Sequence, residues 1–152
     1  MNDTILLRQL QALTEDCPYR ISNLSNAAAL LFDQLPRINW AGFYILRGDK
    51  LILGPFQGKP ACVCISVGSG VCGAAVKEDK IQRVENVHKF PGHIACDSAS
   101  NSEIVLTVYA GGKIWGVLDI DSPELGRFTV EDQQELQKFA ATVSAMLDWC
   151  RD

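Results

Sequence analysis

No stretch of this 152-residue chain approaches 18 consecutive apolar residues, which excludes a transmembrane helix. Basic clusters are missing too: 14 Lys and Arg face 18 Asp and Glu, for a net charge of −4. With no patch to neutralise phosphates, nucleic acid is not expected as a main partner. The opening M-N-D-T-I-L-L-R-Q-L lacks the basic and apolar regions of a signal peptide, so the expected location is the cytoplasm. Repeats, low-complexity tracts and linkers are also lacking. A single domain over residues 1–152 is therefore expected, long enough to bury a core without staples.

What the chain does hold is six cysteines. In a reducing compartment clustered cysteines more often bind metal or do chemistry than form a disulfide framework. Cys150 continues an apolar helical stripe and reads as a small buried hydrophobe, as does Cys17 beside the helix-breaking Pro18. Cys62, Cys64 and Cys72 lie close together. Cys96, next to Asp97, sits in the stretch Asn86 to Glu103, N-V-H-K-F-P-G-H-I-A-C-D-S-A-S-N-S-E, which has neither helical period nor strand alternation. A loop this long in a compact domain is usually functional.

Hydrophobic spacing predicts helices over about 3–14 and 22–35, then strands over 39–46 and 50–56 joined by a Gly-containing turn. A third strand is expected over 61–67, a short helix over 71–78 after G-S-G, and a strand over 81–84. Beyond the loop come strands over 104–110 and 113–120 around Gly111-Gly112, then a helix N-capped by Thr129. This order describes an α+β fold: a six-stranded antiparallel sheet flanked by helices on its faces.

A strand over 61–67 would turn Cys62 and Cys64 to one face. Cys72, at the start of a helix, is expected to have a lowered thiol pKa. His93 and Cys96 with Cys62 and Cys64, or with Cys72, supply zinc-type ligands, although C-x-C is tighter than the usual knuckle. Period two places Asp119 and Asp121 on one face, and Glu103 closes the loop nearby. Acids converging near a thiol can hold an ammonium group and share a proton. Trp40 and Tyr44 share a strand face with Gly42 between them, either as core or as an apolar wall beside a ligand. The constellation fits thiol-based redox chemistry on a small polar molecule.

The runs N-W-A-G-F-Y (39–44), G-P-F-Q-G-K (54–59), A-C (61–62), G-V-C-G (70–73), P-G-H-I-A-C-D-S-A-S-N-S-E-I-V (91–105) and G-V-L-D-I-D-S-P (116–123) resemble the free methionine-(R)-sulfoxide reductases. These enzymes are stand-alone GAF domains, and the likeness covers nearly the whole chain. It implies that Cys96 is the catalytic cysteine, that Cys62 or Cys72 resolves its sulfenic acid, and that a thioredoxin-type reductant opens the disulfide. It implies that Glu103, Asp119 and Asp121 hold the substrate amino group and polarise the sulfoxide, beside a wall of Trp40 and Tyr44. Backbone N–H groups of the 86–103 loop would host the substrate carboxylate. No resident metal or bound cofactor is implied, and a homodimer is the expected assembly. Two positions depart from the family's pattern: Cys64 stands where an arginine is expected, and Thr107 where a proline is frequent. The first leaves open which thiol resolves Cys96. Two other readings stay open, a non-catalytic GAF ligand-sensing module and the zinc site.

Overall fold

The computed structural model describes residues 3–94, 96 and 98–152, so Asp97 lies outside the described residues. Its helices are α1 (Ile5–Thr14), α2 (Arg20–Gln34), α3 (Gly70–Glu78) and α4 (Val130–Trp149). Its strands are β1 (Trp40–Arg47), β2 (Lys50–Gly58), β3 (Cys64–Ser66), β4 (Gln82–Val84), β5 (Ser102–Ala110) and β6 (Lys113–Ser122). They form one sheet in the order β3-β2-β1-β6-β5-β4, every neighbouring pair antiparallel. The architecture is the α+β sandwich that the spacing predicts.

Strand alternation divides the interior in two. One face of the sheet, with Ala41, Phe43, Ile104, Leu106, Leu118 and Ile120, packs against the apolar stripes of α1, α2 and α4. The other face carries Trp40, Tyr44, Val105 and Val117 and is covered by Val71, Cys72 and Ala75 of α3. The larger cluster anchors the fold. Phe139 on α4 is fully buried in it. Phe139→Ala is expected to lower the free energy of urea unfolding by ~3–5 kcal/mol, the cost of a large core truncation; a loss below ~1 kcal/mol would mean this helix face is not packed as described.

Local signals fix some of the helix ends. Thr129 caps α4 by accepting from the Asp132 N–H, while the Asp132 carboxylate accepts from the Thr129 N–H, a reciprocal capping box. The start of α2 is less local. It begins at Arg20, two residues before the expected Ser22, because the Arg20 N–H donates to the Arg151 carbonyl at 2.8 Å and Tyr19 forms a bridge with Arg151. A donor satisfied from the far end of the chain leaves no trace in nearby sequence.

The third strand is the main correction. The expected 61–67 shrinks to Cys64–Ser66. Leu53 of β2 donates to the Val63 carbonyl at 2.9 Å, but the next donor on that edge would be Pro55, which has no N–H. The chain at 59–63 is therefore released from the ladder, and Cys62 does not lie on the strand. The strands on either side of the site are longer than expected: Glu103 lies inside β5 and Asp121 inside β6.

Candidate active site

Register across three central strands assembles the floor of the site. Trp40 pairs with Asp121 and Asp121 with Glu103; Gly42 pairs with Asp119 and Asp119 with Val105. Residues opposite one another and two apart along a strand share a face, so Trp40, Tyr44, Glu103, Asp119 and Asp121 all point away from the α1–α2–α4 core. They line a cavity of about 50 Å³ together with Cys72 and Cys96. A polar cavity of that size admits a few water-sized groups.

The wall follows from one glycine. A Cβ at Gly42 would stand 2.3 Å from Phe56 Cβ, so only glycine lets β2 approach here. Phe56 then stacks on Trp40 (centroids 5.2 Å apart), and Trp40 on Tyr44 (5.9 Å). Both aromatic residues also hold the segment that carries Cys62. Trp40 Nε1–H donates to the Lys59 carbonyl at 3.2 Å, and the Tyr44 hydroxyl donates to the Cys62 carbonyl at 2.8 Å. Burial, then the Asp119 charge, pushes the Tyr44 phenol well above its ordinary range, so it stays a neutral donor.

The long loop closes the cavity. Its described residues include a 3₁₀ turn, Val87–Lys89, whose Val87 is fully buried. The Val87 N–H donates to the Asn101 carbonyl at 3.0 Å, and the Asn101 N–H to the Ser122 carbonyl at 2.8 Å. His88 pairs with the Asn101 side chain at 2.8 Å and meets His93 edge-on at 6.1 Å. His93 faces the cavity, and burial followed by the charge of His88 lowers its pKa.

Between these anchors Cys96 is brought to Cys62, with which it forms a disulfide, Cα atoms 5.5 Å apart. Cys64 does not share a face with Cys62 as the expected strand implied. Ile65 is buried against the Tyr44 and Cys72 cluster on which Cys62 packs, whereas Cys64 is exposed. The pleat therefore turns Cys64 away. The four-ligand zinc set is likewise taken apart, because Cys62 and Cys96 bind one another.

Cys72 also departs from expectation. It is third in α3, yet burial raises its thiol pKa, and the charges of Asp119 and Glu103 raise it further. Desolvation and neighbouring carboxylates outweigh the helix end. The acids behave alike. Burial, with Asp119 and Asp121 beside it, holds the Glu103 carboxyl well above its ordinary value. Burial raises Asp119 too, although contacts from Glu103, Cys72 and Asp121 pull it back. Asp119 Oδ1 is buried and accepts no hydrogen bond. Such an acceptor costs about 1–3 kcal/mol unless a donor reaches it. The floor is built to receive a donor or to keep a proton.

Ser100 is a cavity residue that sequence reasoning did not single out. It is buried and accepts from Asn39 Nδ2 at 3.0 Å. Nothing in the polar S-A-S-N-S run distinguishes it from Ser98 or Ser102.

Comparison with known proteins adds to this geometry. The sequence profile described as GAF domain matches residues 22–148. A free methionine-R-sulfoxide reductase of Escherichia coli is 54% identical over 142 residues, covering 93% of this chain and 86% of that one. Among solved structures, the reduced form of fRMsr of Staphylococcus aureus superposes with a TM-score of 0.91 at 50% identity, covering 94% of this chain and 93% of that one. The free methionine-R-sulfoxide reductase of Neisseria meningitidis, in complex with its substrate, gives a TM-score of 0.90 at 38% identity, covering 93% and 86% of the two chains.

Proposed function

Since this chain belongs to the GAF-domain family and is a free methionine-(R)-sulfoxide reductase, we propose that its chemistry runs through Cys96, Cys62 and the three buried acids. The Cys96 thiolate attacks the sulfoxide sulfur while a proton from the Glu103–Asp119 pair goes to the sulfoxide oxygen. Methionine leaves, and Cys96 keeps the oxygen as a sulfenic acid. The Cys62 thiol condenses with it, forming the disulfide and releasing water. A dithiol of the thioredoxin type then supplies two electrons and two protons to regenerate both thiols.

The observation that carries this reading is the Cys62–Cys96 disulfide at the mouth of a cavity floored by Glu103, Asp119 and Asp121. Those acids suit the substrate ammonium, for which the orphaned Asp119 Oδ1 is a ready acceptor. Trp40 and Tyr44 suit the methyl and sulfur end, and backbone N–H groups of the loop suit the carboxylate. A peptide-bound residue would lack both terminal charges, which favours the free amino acid. Cys62 rather than Cys72 is assigned as resolving thiol because burial keeps Cys72 protonated. No helix among the described residues is long and apolar enough to cross a membrane, and a reducing cytoplasm suits six cysteines. The exposed Ile5, Ile21 and Trp149 would suit a homodimer paired through its terminal helices.

Cys62→Ser separates the two half-reactions. Each enzyme molecule is expected to release about one methionine and then stall, with thioredoxin-dependent turnover at least ~100-fold below wild type. Full multiple turnover in that variant would assign the resolving step to another thiol.

A further inference from the structure

We propose that Cys72, Glu103 and Asp119 form a binding site for a divalent transition-metal ion of the zinc class, within the same cavity. The Cys72 Sγ and one carboxylate oxygen from each acid lie within 4.8 Å of one another, and all three residues are buried. Zinc bonds of about 2.3 Å to sulfur and about 2.0–2.2 Å to oxygen hold the donors of a tetrahedral site roughly 3.4–3.7 Å apart, so side-chain movements of up to about an ångström close the set. A second observation points the same way. Asp119 Oδ1, on a residue only 5% exposed, has no hydrogen-bond partner and borders the cavity. The space above the three donors admits water as a fourth ligand.

The donor set selects the ion. One thiolate with two carboxylates suits Zn²⁺, Co²⁺ or Cd²⁺, whereas Mg²⁺ and Ca²⁺ want oxygen alone. Binding exchanges the thiol proton, released to solvent, for a sulfur–metal bond, with no change of oxidation state. Cys62 and Cys96 take no part, so the site forms in the disulfide state as well. Its consequence rests on the function proposed above: the ion takes the place of the substrate ammonium and blocks the enzyme competitively.

The test is a Co²⁺ titration of the full-length disulfide form, read by thiolate-to-cobalt charge-transfer absorption. One equivalent is expected to bind, with the band kept in Cys64→Ser and lost in both Cys72→Ser and Cys72→Ala. Absence of the band in wild type, or its survival in the Cys72 variants, overturns the site. In wild type, free methionine is expected to displace the cobalt. A stoichiometric, Cys72-dependent band that methionine leaves unchanged upholds the metal site and overturns instead the reading of this cavity as the substrate's ammonium pocket.

Discussion

Cys96→Ser is expected to abolish methionine formation from free L-methionine-(R)-sulfoxide, with a loss of at least ~1,000-fold. A serine hydroxyl is scarcely ionised near neutral pH and cannot pass through a sulfenic acid, so nucleophile and redox carrier disappear together. The geometry makes the effect specific. Cys96 is the cysteine found in a disulfide with Cys62 beside the cavity, while Cys17 and Cys150 lie near the chain ends, where Cys150 packs in the helix-side core. The assay compares wild type with the variant under dithiothreitol, with the S epimer as control. Turnover by Cys96→Ser near the wild-type rate would move the chemistry to another thiol. Cys72 would be the next to test, since it also faces the cavity.

Asp119→Ala is expected to lower kcat/KM by ~1,000-fold while leaving folding stability equal or higher. A hydrogen bond to a charged partner contributes about 1.5–3 kcal/mol, and a positioned proton donor about 10²–10⁴ in rate. The stability expectation runs the other way because Asp119 Oδ1 is a buried acceptor without a donor in the free protein. Removing it relieves a cost. Stability should also depend on pH with a definite sign. Burial raises both Glu103 and Asp119 above their unfolded values. The native state thus keeps protons that the unfolded chain sheds above about pH 4. Wherever the native state binds more protons, stability falls as pH rises, so wild type should lose stability from pH 5 towards the raised native values. Asp119→Ala should flatten that slope in urea melts at a series of pH values. A steeper slope in the variant, or an activity loss under ~10-fold, would remove Asp119 from its role as proton donor and ammonium acceptor.

How much of this was legible follows from the range of each signal. Alternation in N-W-A-G-F-Y and in V-L-D-I-D assigned Trp40, Tyr44, Asp119 and Asp121 to one face each, because side-chain direction in a strand is a local property. Thr129 marked the start of α4 for the same reason: a capping box closes within four residues. The contents of the long loop were legible as chemistry but not as shape, since its anchors are Val87, Asn101 and Ser122, bonded across the fold.

By itself, then, the sequence determined the α+β class, the order of elements and which residues of β1 and β6 share a face. Only the tertiary structure decided that Cys62 leaves the strand and meets Cys96 while Cys64 turns outward. It alone decided that Cys72 is held protonated at a helix end and that Glu103 stands across from Asp121. The physical reason is one of distance. Periodicity and capping act over a few residues, whereas a thiol's pKa and a disulfide's partner depend on groups that only strand pairing and burial bring within a few ångströms.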